Sequence, residues 1–158
     1  MFVLARAATY ATLFIGFVLV FLPARILAWS GIVRPETFGP VELAGIVVCG
    51  AGAVIALSCV VAFALVGKGT PAPFDPPRKL VIRGPYRYVR NPMYIGASLA
   101  LCGAAIFYRS IPLLGYLGVF LIVTHLFVVL YEEPTLSRLF GDDYKAYRAN
   151  VRRWLPRA

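Results

Sequence analysis

The chain has 158 residues, of which 60% are hydrophobic and 15% charged, with a mean hydropathy of +0.78. Soluble domains sit nearer half apolar and a quarter charged, and a domain this small exposes too much surface to hide so many apolar side chains; an ordinary soluble enzyme, a disordered chain and a disulfide-stapled secreted module are excluded. The formal charge of +9 raises nucleic acid as a partner, and the placement of the charges answers that question.

Four stretches lack Asp, Glu, Lys and Arg: 7–24, 43–67, 91–108 and 110–131. About 20 mostly apolar residues in a helix cross the hydrocarbon layer, and only helices or closed barrels satisfy their backbone there. None of the four alternates as a barrel strand does. The sequence therefore predicts an all-α, polytopic bundle with four transmembrane helices, about 5–24, 43–67, 92–108 and 111–131. Residues 1–158 then form one membrane-embedded domain. A signal peptide is the alternative for the first stretch, but a single positive charge precedes it and no small-x-small cleavage site follows.

Four crossings leave both termini and the 68–91 loop on one side. Thirteen of the sixteen basic residues fall there, against Arg25, Arg34 and Arg109 on the other. Cytoplasmic loops carry that excess, so the termini and this loop are expected in the cytoplasm. The basic residues follow topology and meet anionic headgroups; no nucleic acid is needed to explain them. Cys49, Cys59 and Cys102 lie inside spans at spacings that make no metal box, so no metal is expected. Gly96, Ala100 and Ala104 form a small-residue stripe that permits close helix packing.

The 68–91 loop and its junction with the third span carry Pro71, Pro73, Pro76, Pro77, Pro85 and Pro92, with Tyr86, Tyr88 and Tyr94 among Arg83, Arg87 and Arg90. Prolines fix φ and push the preceding residue out of helix, so the loop is stiff and extended. Tyr and Arg settle at membrane interfaces, and a rigid loop over the ends of a bundle also makes one wall of a binding site. The residues alone fit both.

His125, the only histidine, lies in the fourth span. Seven residues separate it from Glu132, which puts the two on nearly one face about 10 Å apart. It serves either as a hydrogen-bonding link to a neighbouring helix or as a substrate-binding group. Glu132 and Glu133 end that span, where two carboxylates oppose the helix dipole. Arg87, Arg90 or the arginines of the tail compensate them as salt bridges, or else a cationic ligand does. Pro134 suits the first turn of a further helix. Leu136, Leu139, Phe140, Tyr144, Tyr147, Val151 and Trp154 make that helix amphipathic, as if lying on the membrane surface within a cytoplasmic segment 132–158.

The run Arg83-Gly-Pro-Tyr-Arg-Tyr-Val-Arg-Asn-Pro-Met-Tyr-Ile-Gly96, a hydrophobic hairpin, and then Tyr131-Glu-Glu-Pro134 resemble the integral-membrane methyltransferases. That superfamily comprises the phosphatidylethanolamine N-methyltransferases and the isoprenylcysteine carboxyl methyltransferases, and the likeness covers about 50–156. The resemblance implies S-adenosylmethionine as cofactor, held on the cytoplasmic side by the two motifs, and a lipophilic acceptor in the bilayer. It implies cofactor contacts from Gly50, Ala51 and Gly52 (a Gly-x-Gly of the phospholipid branch), from Leu80, Val81 and Tyr86, from Asn91, Pro92, Met93 and Tyr94, and from Glu132 and Glu133. Asn91 replaces the histidine of the prenylcysteine branch, as it does in the phospholipid branch. Val128 stands where the prenylcysteine branch has a substrate-binding arginine. No catalytic residue is assigned.

Two other functions fit parts of the sequence. A sterol-reductase-like oxidoreductase has a similar Pro-x-Tyr loop and binds NADPH, but lacks the Glu-Glu-Pro ending. A non-enzymatic four-helix transporter subunit or scaffold explains the hydropathy and leaves the paired glutamates unexplained. The acceptor and the oligomeric state are not legible in the residues.

Overall fold

The computed structural model describes residues 16–62 and 80–157. Helices dominate them: α1 Phe17–Trp29, α2 Pro40–Ala62, α3 Pro92–Phe107, α4 Ile111–Phe127 and α5 Glu133–Asn150. A 3-10 turn, Gly84–Arg87, precedes α3, and a π turn, Val128–Glu132, joins α4 to α5. The only extended pairing among the described residues is a bridge between Val89 and Arg152. The all-α expectation agrees with this architecture.

Two rods are long and apolar enough to cross a membrane: Pro40–Ala62, and Ile111–Asn150, which is uncharged as far as Tyr131. α1 and α3 are apolar but shorter. The 16 residues of α3 span about 24 Å, short of the roughly 30 Å hydrocarbon layer. So, among the described residues, two of the four expected crossings meet the length requirement. Much of the first expected span and the whole of 63–79, with most of the proline-rich loop, lie outside the described residues. α1 runs past residue 24 to Trp29, where the Arg25 guanidinium sits 5.4 Å from the centre of the Trp29 ring.

α2 and α3 are antiparallel and meet backbone to backbone. A Cβ on Gly52 would lie 2.5 Å from the Gly96 carbonyl oxygen and 2.6 Å from the Ala100 nitrogen. A Cβ on Gly103 would strike the Cys49 nitrogen, and lie 2.6 Å from the Gly45 carbonyl oxygen. Gly45 and Gly52 on one helix, and Gly96 and Gly103 on the other, are each seven apart, which places them on one face. Small residues at this spacing bring two helices to close contact where apolar side chains gain nothing by leaving lipid.

At one end of this pair Glu42, 4% exposed, accepts from the Gly39 backbone at 2.9 Å and pairs with Arg109 at 2.8 Å. Arg109 turns the chain between α3 and α4 with a φ of +48°, a conformation few side chains adopt. The Ser110 hydroxyl then caps α4 by accepting from the Leu113 N–H at 3.3 Å. α4 is joined to α1 by the Tyr116 hydroxyl, which donates to the Val18 carbonyl at 2.8 Å.

Pro134 takes the place expected of it, at the start of a further helix. It lies in the first turn of α5, directly after the π turn, and helical backbone is continuous through it. The bend comes at Gly141, with φ +50° and ψ −119°, values open to glycine because it has no Cβ. Beyond the bend Tyr144, Tyr147 and Val151 are buried together, with Leu80, Leu136 and Phe140 packed against them. Leu139, counted in the apolar stripe, is 54% exposed.

Candidate functional site

The site lies at the end of the α2–α3 pair away from Glu42. Gly84, at φ +59°, opens the 3-10 turn, and Pro85 fixes the φ of its second residue. The turn drops Tyr86 onto α2, where Tyr86, Val81, Cys59 and Ala62 form a buried cluster with Met93 against it. The chain then extends through Val89 and Arg90 before Asn91 and the buried Pro92 start α3.

Here the C-terminal tail docks. The Arg90 N–H donates to the Arg152 carbonyl at 2.9 Å, and the Asn91 side-chain amide to the Arg153 carbonyl at 3.3 Å. The Tyr147 hydroxyl donates to the Tyr86 carbonyl at 2.7 Å. These three bonds hold the aromatic turn between α2 and the tail.

The two glutamates have different surroundings. Glu133 is almost fully buried and is held by two guanidinium groups. Arg153 donates to both its oxygens, at 2.7 and 3.0 Å, and Arg90 lies 3.0 Å away. Burial alone would raise the Glu133 carboxyl, but the Arg153 bonds and the Arg90 charge outweigh it and hold it below the usual carboxylate value. Glu132 has no cationic partner among the described residues; the Tyr94 hydroxyl donates to its Oε2 at 3.2 Å. Burial pushes the Glu132 carboxyl up, against that bond, and the charge of Glu133 adds to the push.

Because the folded pKa of Glu133 lies below its ordinary value of 4.5, its stabilising contribution is complete above that pH. It drains away as pH falls through the folded value. Thermal unfolding in detergent should therefore show a steepening loss of stability below pH 4.5. In E133Q that acid limb should shrink; an undiminished limb would assign it to other groups.

Of the residues named from the sequence, Val81, Tyr86, Met93, Tyr94, Glu132 and Glu133 gather at this end of the molecule, with Asn91 and Pro92 beneath them. Leu80 packs instead on Tyr144, Tyr147 and Val151. Gly52 is consumed by the helix seam, whereas Gly50 has open space around it and Ala51 is exposed; none of the three is brought to the glutamates. His125 is also apart from them. The π turn after α4 holds more residues per turn than an α turn, so the seven-residue spacing no longer keeps one face. Glu132 turns inward to Tyr94, and His125 turns outward to Trp154. The salt-bridge alternative for the glutamates holds for Glu133, through Arg90 and the tail residue Arg153; sequence reasoning missed the tail's docking on the backbone of the aromatic turn, which no local signal marks.

The model of the phospholipid methyltransferase family matches residues 41–143. An uncharacterized protein of Haemophilus influenzae is 46% identical over 44 residues, 27% of this chain and 70% of that protein. No solved structure matches. The matched segment begins in α2, includes the seam, the Arg-Asn-Pro-Met-Tyr turn and both glutamates, and takes in about two thirds of the sequence, so the chain belongs to the phospholipid methyltransferase family.

Proposed function

We propose that the chain is an S-adenosylmethionine-dependent methyltransferase acting on a lipophilic, membrane-resident acceptor, either a phospholipid amine or an isoprenoid or prenylcysteine-type carboxylate. The observation that carries this reading is the unequal glutamate pair. Glu133 is neutralised by two arginines, while Glu132, among the described residues, bonds only the Tyr94 hydroxyl. A carboxylate with acceptor capacity to spare, beside two tyrosines, fits a ligand bearing an ammonium and a sulfonium group. When bound, the cofactor supplies an electrophilic methyl group on that sulfonium.

The chain's own part is to bind, orient and keep out water. Glu132 accepts hydrogen bonds from an ammonium or from hydroxyls. Tyr86 and Tyr94 offer ring faces to a cation, each contact contributing ~0.5–2 kcal/mol. Val81, Asn91, Pro92 and Met93 shape the wall, Leu80, assigned by resemblance, backs it from the tail cluster, and Glu133, through Arg90 and Arg153, fixes the tail over the turn. Gly50, Ala51 and Gly52 are assigned to the cofactor by resemblance, and Gly50 is the one with room for a ligand. Alignment of donor and acceptor supplies most of the acceleration, and no strong base is required for a neutral amine or a carboxylate.

The topology proposed with this function has four crossings, α1 and α3 helped by polar flanks that reach the interface. Both termini and the cofactor site then face the cytoplasm. The family match and Asn91 favour a phospholipid amine over a prenylcysteine acceptor.

Purified protein incubated with methyl-labelled S-adenosylmethionine and extracted host lipids should yield a labelled lipid whose headgroup identifies the acceptor. Binding of NADPH with no binding of S-adenosylmethionine would overturn the reading in favour of a reductase.

A further inference from the structure

The tail does more than hold Glu133. Beyond α5 it is paired with the aromatic turn through the bridge between Arg152 and Val89, and three successive residues dock on three different elements. The Arg152 carbonyl accepts from the Arg90 N–H at 2.9 Å, Arg153 grips Glu133 at 2.7 and 3.0 Å, and the Trp154 Nε1–H donates to His125 Nδ1 on α4 at 3.2 Å. The third hold differs in kind from the other two.

Indole is a donor only, so this bond needs a ring nitrogen with a free lone pair. Neutral imidazole has one, whereas imidazolium carries hydrogen on both nitrogens and has none. Protonation of His125 therefore removes the acceptor. It also sets a positive charge at the edge of the indole, where the ring quadrupole is itself positive. No other group takes over. Besides Trp154, the cavity around the imidazole is lined by Leu121, Ile122 and Leu126 of its own helix, and no ion pair among the described residues includes His125. The two carboxylates that follow on the same rod are engaged elsewhere, Glu132 with Tyr94 and Glu133 with Arg90 and Arg153. Of the tail's other arginines, Arg157 donates to the Ala149 carbonyl at 3.0 Å and Arg152 is exposed.

We propose that the His125–Trp154 bond is a pH-sensitive pin on the tail, closed while the imidazole is neutral and opened by its protonation. Imidazole is the side chain that changes charge between about pH 5 and about pH 8. Tryptophan favours the level of the headgroups, where water brings protons to its partner. Opening frees Trp154 and leaves Arg152 and Arg153 to hold the tail over the aromatic turn without it. The pin stands on geometry alone; that it regulates the ligand site deepens the methyltransferase reading and rests on it.

Trp29 and Trp154 are the only tryptophans, so W29F leaves Trp154 as sole reporter. Acrylamide quenching of the full chain carrying W29F, in detergent, is compared at about pH 8 and about pH 5, the two sides of the imidazole range. The released fraction of Trp154 should rise about five-fold at the lower pH, the worth of one hydrogen bond. With H125Q added, an amide oxygen accepts at either pH, so Trp154 should stay protected at both. With H125L in its place there is no acceptor, and Trp154 should be released at both, while an unchanged circular dichroism spectrum shows the fold intact. Equal quenching of W29F at the two pH values would overturn the proposal. So would a rise that survives H125Q, which would assign it to Glu132, whose carboxyl is raised by burial. Glu133, with its carboxyl below the usual value, stays ionised throughout. Neither result bears on methyl transfer, which is assayed separately with labelled S-adenosylmethionine.

Discussion

Replacing Glu132 by glutamine should weaken S-adenosylmethionine binding by roughly 10- to 100-fold, the usual worth of a hydrogen bond to a charged group, while leaving the protein as stable as before or more so. The two effects have one cause. Burial and the neighbouring Glu133 both disfavour the ionised Glu132 carboxyl, so the folded chain tolerates this charge only at a cost, and a neutral amide removes that cost. E133Q should behave in the opposite way. It strands Arg90 and Arg153, and breaking such a partly buried network costs roughly 3 kcal/mol, or about 6–12 °C in melting temperature for a chain of this size. Equilibrium binding of labelled cofactor and thermal unfolding in detergent, run on both variants, separate ligand-binding from structural carboxylate. Full cofactor affinity in E132Q would remove Glu132 from the site.

Substitution in the helix seam should have the largest effect on folding. Gly103→Val brings a branched side chain against the Cys49 backbone, and Gly52→Val does the same against Gly96 and Ala100. Neither obstacle is a flexible side chain that can swing aside, so the helices must part. The expected loss is about 3 kcal/mol or more, at the upper end for overpacked interiors, read as a collapse of the folded fraction in detergent. Gly50→Ala is the matched control. Nothing lies within 4 Å of the added methyl group, and relief of glycine's backbone entropy in a helix should add about 0.5–1 kcal/mol. Should G50A instead lower cofactor affinity, Gly50 would be established as a ligand contact.

Local motifs made part of this molecule legible in advance. The Arg-Asn-Pro-Met-Tyr turn carries its geometry in its own prolines, and the adjacent glutamates stand out because two carboxylates at a helix C-terminus require an explanation. The meeting of Tyr94 with Glu132 followed from pairing those two motifs. Gly52 was harder to read, because a glycine in an apolar helix admits either a ligand or another helix. The matched seven-residue spacings of Gly45 with Gly52 and Gly96 with Gly103 favour the helix. His125 was assigned to the face of Glu132 by assuming α geometry throughout, and one π turn suffices to separate them. α3 starts at the expected residue and stops within one residue of the expected end, and the positive φ of Arg109 marks where the chain turns. The compensation of the glutamates by Arg90 and a tail arginine was legible as one alternative, but nothing local marks Arg153 among the tail arginines as the partner of Glu133, 20 residues earlier.

The pairing of Asn91 with Arg153 joins positions 62 apart in the chain, and it has a consequence for biosynthesis. Chains emerge from the ribosome N-terminus first, at about 5–20 residues per second, so the aromatic turn and both glutamates reach the bilayer seconds before the segment that locks them. During that interval Glu133 lacks one of its two guanidinium partners. A nascent chain can therefore insert its helices before the tail arrives, but the contacts of Arg153 with Asn91 and Glu133 form only once translation has passed that residue.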